Sequence, residues 1–473
     1  MGDPADLDNS GEQPDRETAE SLRFEQAEKN NNTESRTMPM REKLLWGFSI
    51  NVIFMGFCAL FTDVSGEMIT AILPQYLLII GGGSALIVTF VTSFSTAVAN
   101  VVQGLAGFVS EHVNRRKAFV VVGYAVSNVA KPFIGTMTSW EGVLGLKVTD
   151  RVGKGIRAAP RDTLVAHYAT IAQEQAGDAD SHSGRNFGVL RGMDTIGAVI
   201  GPLLAFGLLF YYLNVINLPQ ILVAYQYTIL WSIVPGLVGV LFVAFVKEIK
   251  TVIKGLKKAG RRVDKFPRKL ARLILTLSIM QFATIDASFL LIRASGTAKY
   301  PGLFPPEYQA WVIIAYAAYN VVYAVMAFYM GRLGDRMSKQ KLIVIGLCVL
   351  VGVAVLGALP YNQSVFSMWV MVGIFLLLGV YIGIIDPSSS AFVSDITGKD
   401  KKGHAYALYY LLVGLISIPE GLIFGALYDA FGPTFAFSFE GVIIFVCIII
   451  FARADFETRL KEVRASYSVP ALV

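Results

Sequence analysis

Charged residues are scarce in this 473-residue chain, where they make up 16% of the sequence against 54% for hydrophobic residues. A soluble protein carries about 25% charged residues, so the composition excludes a soluble enzyme, a fibrous protein and a disordered chain. Cysteine is nearly absent, and the three that occur, Cys58, Cys348 and Cys447, lie singly in apolar runs. They therefore predict neither a disulfide framework nor a metal site.

The motifs of several chemical functions are also missing. The four histidines have no metal-ligand spacing, and no glycine-rich loop ends in the Lys-Ser/Thr pair of an ATP-binding site. No nucleophile and base are arranged for hydrolysis. The net charge of +6 is concentrated in short loops, so it does not indicate nucleic-acid binding. We expect no enzymatic activity, no cofactor, no metal and no nucleic-acid partner.

Long apolar segments dominate the sequence from Leu44 onward. Most are at least 20 residues long, enough for a helix to cross a hydrocarbon layer of about 30 Å, and their continuity disfavours a β-barrel. Pro74 is a candidate kink in the long first segment. The sequence predicts twelve spans, at residues 44–79, 84–109, 117–136, 140–165, 186–212, 222–246, 269–293, 308–333, 341–359, 366–393, 404–430 and 434–452.

The loops between the spans alternate in charge. One set is basic, and residues 247–272 form its largest loop, while the other set, which includes Gly81–Gly83, is nearly uncharged. Basic loops remain in the cytoplasm. The pattern therefore predicts that both termini are cytoplasmic, in a plasma membrane or a bacterial inner membrane. We call the end of the molecule that carries the uncharged loops the outer end.

The largest basic loop divides the chain into two halves of six spans. The predicted organisation is an acidic, disordered cytoplasmic tail with ten acids and four bases, an N-terminal bundle, a basic linker, a C-terminal bundle and a second cytoplasmic tail. Their boundaries are 1–40, 41–246, 247–268, 269–455 and 456–473.

A similar turn follows the second span of each half. In each, a glycine precedes a carboxylate by four residues, and a basic cluster follows. The carboxylate can accept hydrogen bonds from a helix start or pair with a base. Two copies favour a conformational latch over a plain basic turn. Its residues are Gly107, Glu111, Arg115, Gly331, Asp335 and Arg336.

Two further motifs follow in the fourth and fifth spans. These are the RxxxGxxxA-type segment Arg151–Ala159 and the GxxxGP segment from Gly197 through Gly201 to Pro202. With the two turns, they make residues 42–455 resemble the major facilitator superfamily. The segment Asp150–Asp162 resembles a mostly bacterial branch of it. The first turn departs from the family pattern, because Glu111 replaces the usual Asp.

The resemblance implies an all-α polytopic membrane protein with twelve transmembrane helices in two pseudo-symmetric six-helix bundles. Such bundles rock around a central cavity and give alternating access. The small residues Gly197 and Gly201 independently favour close helix packing, and Pro202 favours a bend. The GxxxGP segment is commoner among antiporters of the family, which favours export.

Charged residues inside spans are functional candidates because each costs at least about 2.5–3.5 kcal/mol to insert. Asp63 and Glu67 lie four residues apart on one helix face, which favours a proton-binding pair; the alternative is that each neutralises a base. In span 4, Asp150, Lys154, Arg157 and Arg161 form one stripe, although Arg157 and Arg161 can instead extend to the membrane surface. The candidates for substrate binding or proton coupling are Asp63, Glu67, Asp150, Arg151, Lys154, Arg191, Asp194, Asp286, Asp386 and Glu420.

The sequence therefore predicts a monomeric secondary active transporter that exports a small organic solute by proton-coupled alternating access. Its expected partners are the solute, protons and the lipid bilayer. Two alternatives remain open: a proton-coupled importer of a metabolite, and a non-transporting membrane receptor or scaffold with the same fold.

Overall fold

A computed structural model of the protein describes residues 44–45, 48–110, 116–176, 183–247, 268–333, 337–396 and 402–453. The two predicted tails and nearly all of the predicted linker at 247–268 lie outside these ranges. So do four of the six predicted latch residues, namely Glu111, Arg115, Asp335 and Arg336.

The described residues are almost entirely helical, which confirms the predicted all-α fold. The described residues form twelve helical spans, and spans 1, 6 and 7 each consist of two α-helices. The spans are Ile50–Ile80, Ala85–Ser110, Arg116–Thr136, Trp140–Ala176, Ser183–Asn214, Ile221–Phe245, 268–295, Val312–Leu333, Lys339–Ala358, Val365–Ile396, Lys402–Phe431 and Pro433–Arg453. We number them spans 1 to 12 in chain order. The strands Leu44–Leu45 and Phe48–Ser49 pair antiparallel before span 1, so the predicted start of that span at residue 44 is wrong.

Eleven spans are long and apolar enough to cross a membrane. Large apolar side chains such as Leu237, Leu241 and Phe245 are exposed on the outside of the bundle, as contact with lipid requires. Span 4 is the exception, because it carries the charged stripe along its 37 residues. Its charges are accommodated because neighbouring spans cover it.

Glycines hold span 4 close to spans 2 and 3. A Cβ atom added at Gly153 would lie 2.7 Å from the carbonyl oxygen of Gly123, and one added at Gly155 would lie 3.0 Å from the amide nitrogen of Gln103. These glycines belong to the segment that contains Arg151, Lys154 and Arg157. The same segment therefore supplies both the charges and the close packing that buries them.

The first span of each half is broken near its middle. In span 1 one helix ends at Thr70 and the next runs over Leu73–Ile80, with Pro74 in its first turn. Span 7 consists of the helices Arg268–Ile279 and Ala287–Ser295, joined by a 3₁₀ turn and a short extended segment. Helix-breaking backbone of this kind is tolerated at membrane depth where it lines a cavity or is covered by protein.

Spans 2 and 11 join the two halves along most of their length. A Cβ atom added at Gly104 would lie 3.2 Å from the carbonyl oxygen of Ala407, and one added at Gly414 would lie 3.0 Å from that of Ala97. Small residues therefore allow close backbone contact between the halves.

Asp429 closes the outer end of this interface. Its carboxylate accepts hydrogen bonds from the hydroxyl of Ser84 at 2.7 Å and from the amides of Ala85 at 2.9 Å and Leu86 at 3.0 Å. A side chain of span 11 thus caps the first turn of span 2. The carboxylate also meets the partial positive charge of that helix terminus.

Candidate functional site

Charged residues from spans 1, 3 and 4 surround a small cavity inside the N-terminal half. The cavity has a volume of about 30 Å³. Its charged lining residues are Asp63 and Glu67 from span 1, Lys131 from span 3, and Lys147, Asp150, Arg151, Lys154 and Arg157 from span 4. Five of the predicted candidates therefore lie in one cluster, together with Arg157.

Asp150 is at the centre of this cluster and is 4% exposed. Its carboxylate accepts a hydrogen bond of 2.6 Å from the hydroxyl of Ser127. It also lies 4.0 Å from the ammonium nitrogen of Lys131 and 3.8 Å from Nε of Arg151. A buried carboxylate needs such partners because desolvation of an unpaired charge is expensive.

Lys131, Lys147 and Ser127 were not among the predicted site residues. The ammonium group of Lys131 donates hydrogen bonds to the carbonyl oxygen of Thr62 at 3.0 Å and to Oδ1 of Asn128 at 3.2 Å. Both lysines fall inside predicted spans, so the rule that selected Asp150 also applies to them. Ser127 carried no comparable signal, because a serine is common in membrane helices.

A larger cavity of about 190 Å³ lies between the two halves. The N-terminal half contributes residues of spans 1, 2 and 4, and the C-terminal half contributes residues of spans 7, 8 and 10. Its polar lining residues are Thr70, Thr92, Ser95, Thr96, Lys147, Arg151, Thr284, Asp286, Ser288, Tyr316 and Tyr319. Thr70, Lys147 and Arg151 line both cavities, so the charged cluster forms part of the wall of the larger one.

Glu67 connects the two halves at this site. Its carboxylate accepts a hydrogen bond of 2.8 Å from the hydroxyl of Tyr316 on span 8. A second polar contact nearby joins the hydroxyls of Thr92 and Ser288 at 3.3 Å. Tyr316 was not predicted as a site residue, because nothing in the sequence distinguishes it from other tyrosines in apolar spans. Its contact with Glu67 is apparent only from the fold.

The GxxxGP segment packs span 5 against the acidic face of span 1. A Cβ atom added at Gly197 would lie 2.6 Å from the carbonyl oxygen of Leu60, and one added at Gly201 would lie 2.7 Å from that of Val64. The added Cβ atoms would also lie 3.1 Å from Cβ of Asp63 and 2.8 Å from Cβ of Glu67, respectively. Pro202 follows immediately, inside the helix Ser183–Asn214.

The stripe on span 4 continues beyond the small cavity. The guanidinium of Arg157 lies 4.2 Å from the centroid of the Tyr124 ring, a cation–π contact. Arg161 lies 3.1 Å from Asp162 and 3.8 Å from Asp194 of span 5. Asp194 therefore pairs with span 4, whereas Arg191 is exposed.

The candidates of the C-terminal half are not gathered into one cluster. Asp286 caps the second helix of span 7, because its carboxylate accepts a hydrogen bond of 2.8 Å from the amide of Ser288. Asp286 also lines the larger cavity. Asp386 accepts a hydrogen bond of 3.1 Å from Tyr323. Glu420 is buried away from both cavities; it and Glu440 each have one carboxylate oxygen without a hydrogen-bond partner among the described residues.

The two latch glycines lie near the ends of spans 2 and 8. Gly107 is part of the helix Ala85–Ser110, and Gly331 is part of Val312–Leu333. A Cβ atom added at Gly331 would meet no described atom within 4 Å. The other latch residues lie outside the described ranges, and the latch stays a prediction.

Comparison with known proteins shows which family the chain is similar to. A family model described as Major Facilitator Superfamily matches residues 298–468. An uncharacterized MFS-type transporter of the archaeon Methanocaldococcus jannaschii is 29% identical over 399 residues, which cover 84% of this chain and 93% of the relative. The C-terminal part of the chain thus matches the superfamily model, and most of its length is similar to an MFS-type transporter. An uncharacterized protein of Mycobacterium tuberculosis is also similar, with 25% identity over 396 residues, covering 81% of this chain and 87% of that protein.

Solved structures of the superfamily share the fold. A POT family transporter superposes with a TM-score of 0.69 at 12% identity, over 89% of this chain and 99% of that one. The nucleoside transporter NupG gives 0.67 at 13%, over 85% and 99%, and a D-xylose–proton symporter gives 0.63 at 12%, over 85% and 96%. The eleven membrane-competent spans and the similarity to MFS-type transporters support a multi-pass integral membrane protein.

Proposed function

We propose that this protein is a secondary active transporter that exports a small organic solute in exchange for protons by alternating access. The proposal rests on the cavity of about 190 Å³ whose walls come from both halves. A solute held there contacts both bundles. Rocking of one bundle against the other therefore transfers the solute from one side of the membrane to the other.

Proton coupling is assigned to Asp63 and Glu67. Because Glu67 accepts a hydrogen bond from Tyr316 of the opposite half, its protonation state changes the contact between the halves. A hydrogen bond to a carboxylate is worth about 1.5–3 kcal/mol, and one between neutral groups about half of that. A proton on Glu67 therefore shifts the balance between closed and open arrangements of the two bundles.

The GxxxGP segment favours export over import, because it is commoner among antiporters of the superfamily that the chain resembles. Its glycines place span 5 directly against Asp63 and Glu67. In this arrangement the helix that packs on the acidic pair also carries Asp194, which pairs with span 4. Changes at the acidic pair are thus transmitted to the basic stripe. The fold itself is shared with a D-xylose–proton symporter and supports both directions.

Vesicles of defined orientation test the proposal. The protein is reconstituted, and vesicles that are acidic inside or alkaline inside are incubated with a whole-cell metabolite extract. The accumulated compounds are identified by mass spectrometry and compared with protein-free vesicles. For molecules whose cytoplasmic face points outward, an exporter accumulates solute when the lumen is acidic.

The alternatives give different results in the same experiment. An importer accumulates solute when its outer end faces the medium and the lumen is alkaline. A receptor or scaffold accumulates nothing with either gradient, which would overturn the proposal. Site-specific proteolysis of the protein's cytoplasmic termini establishes the orientation of each preparation.

A further inference from the structure

The charges around the small cavity do not balance. Five basic side chains, those of Lys131, Lys147, Arg151, Lys154 and Arg157, face three carboxylates, those of Asp63, Glu67 and Asp150. Uncompensated charge inside a protein is costly, because desolvation of each ion costs several kcal/mol after relaxation. An added anion would therefore stabilise this excess of positive charge.

Two of the three carboxylates of the cluster are already engaged. Asp150 is shared by Ser127, Lys131 and Arg151, and Glu67 accepts from Tyr316. Neither is in an ion pair with Lys147 in the part of the chain that the structure describes. Rearranging the existing ion pairs would therefore not remove the excess of positive charge around the small cavity.

Three basic groups retain unused hydrogen-bonding capacity. Among the described residues, Nε of Arg151 and Nη1 of Arg157 are buried without a hydrogen-bond partner. Lys147 is only 4% exposed, and within the described residues no carboxylate lies at ion-pair distance from its ammonium group. Buried charged donors of this kind are normally satisfied by an acceptor.

Lys147 and Arg151 direct this positive charge into the cavity between the halves. They are four residues apart, so they share one face of span 4, and both line the larger cavity as well as the smaller one. The opposite wall offers no base among its described lining residues. It presents the hydroxyls of Tyr316, Tyr319 and Ser288 together with the carboxylate of Asp286. An acidic group on a solute is therefore attracted to span 4 and repelled by span 7.

We propose that the transported solute is a small organic anion, and that its carboxylate or phosphate group binds Lys147 and Arg151. The inference rests on the proposed transport function and names the class of its substrate. The ammonium group and the planar guanidinium provide several donors for such an anionic group. The cavity of about 190 Å³ is smaller than a drug-sized pocket of about 300–1,000 Å³, which restricts the remainder of the solute to a few atoms able to contact the tyrosines.

Separated fractions of the metabolite extract test the charge of the solute. The extract is divided by ion exchange into anionic, neutral and cationic fractions, and each is offered to the energised vesicles. We expect accumulation from the anionic fraction, with carboxylates and phosphate esters distinguished by mass spectrometry. Accumulation only from the neutral or cationic fraction would preserve the transport function and overturn this inference. No accumulation from any fraction would overturn the transport function itself.

Substitution of Lys147 tests the assigned residue. Lys147→Gln should lower uptake of the accumulated anions by about tenfold or more, because one charged hydrogen bond is lost, whereas Lys147→Arg should retain most of it. Lys341→Gln, a change at an exposed lysine of span 9, serves as the matched control and should remain within about twofold of the unchanged protein. Normal anion uptake by a correctly inserted Lys147→Gln protein would overturn the assignment.

Discussion

Arg151 occupies the wall that the two cavities share. Its guanidinium is held beside Asp150, with 3.8 Å between Nε and the carboxylate, while part of it faces the larger cavity. This position gives the residue two tasks. It stabilises a buried carboxylate on one side and, in the proposed function, offers donors to a solute on the other.

Arg151→Lys should be inserted normally in the membrane and transport poorly. The ammonium group preserves the charge, but it cannot satisfy Asp150 and a solute at once in the planar geometry of a guanidinium. We expect the transport rate to fall by about tenfold or more, measured in reconstituted vesicles. Arg453→Lys, at an exposed position at the end of span 12, is the control. Full activity of Arg151→Lys would show that charge alone is required.

Glu67→Gln should abolish transport driven by a pH gradient while leaving solute exchange intact. The amide preserves the shape and accepts from Tyr316, but it carries no titratable proton. The two activities are measured as accumulation under a gradient and as counterflow without one. Glu141→Gln, at an exposed position at the start of span 4, should change neither. If accumulation persists with Asp63→Asn and Glu67→Gln combined, proton coupling lies elsewhere, and Glu420 and Asp286 are tested next.

The sequence identified the charged residues of the site better than the contacts between them. Asp63, Glu67, Asp150, Arg151 and Lys154 were identified because each is a charge inside an apolar span, and all line one cavity. Tyr316 could not be identified in this way. Its role depends on a contact with Glu67, 249 residues away along the chain, which no local pattern encodes.

At the scale of elements, glycines determine how deeply span 4 can be buried. Gly155 lies against Val102 and Gln103 of span 2, whereas Gly145 of the same span has open space around it. The two positions therefore make a matched pair for substitution. One tests close packing, and the other tests helix propensity alone.

Gly155→Val should destabilise the protein by about 1–3 kcal/mol, because a side chain there forces span 4 away from span 2. Gly145→Ala should have no destabilising effect, and improved helix propensity should add up to about 1 kcal/mol. Thermal unfolding in detergent measures both. Equal stability of Gly155→Val and the unchanged protein would contradict the close packing described here.

Helix boundaries were the least predictable property of the elements. The apolar pattern does not distinguish a continuous helix from two helices with a break between them, so the segment between Ala283 and Ala287 was predicted as part of a single span. In span 1 the position of Pro74 did indicate a possible break, and the helix is interrupted two residues before it. The start at Ile50 could not be predicted, because residues 44–49 are equally apolar.

At the scale of the whole molecule, the two halves are joined by spans 2 and 11. Asp429 caps span 2 at the outer end, and glycines bring the backbones together below it. In the proposed alternating-access cycle this contact has to open. We therefore expect the capping interaction to keep the outer end closed.

A disulfide between Ser84→Cys and Asp429→Cys should stop transport reversibly. The two side chains already approach to 2.7 Å, so a short cross-link is geometrically reasonable. We expect oxidation to abolish net transport and a reducing agent to restore it, in a background where the exposed Cys348 is replaced by Ser. Each single cysteine variant is the control. Unchanged transport by the fully cross-linked protein would mean that the outer end does not open here.

The arrangement of two bundles was predictable from the twelve spans and the motifs repeated in order, because membrane helices leave few alternatives for the fold. The contact between spans 2 and 11 was not. Its small residues are scattered through two sequences more than 300 residues apart, and only their geometry shows that they face each other.

The interrupted backbone of span 7 has a consequence for exchange of amide hydrogens. Around Thr284 and Ile285 the chain leaves the helix and lines the cavity between the halves. Its peptide groups therefore lack the helical hydrogen bonds that protect the peptides on either side. Deuterium should therefore label this short segment far faster than the helices on either side of it. Occupancy of the cavity by a solute should slow that labelling, which provides a record of binding that requires neither a gradient nor a radioactive substrate.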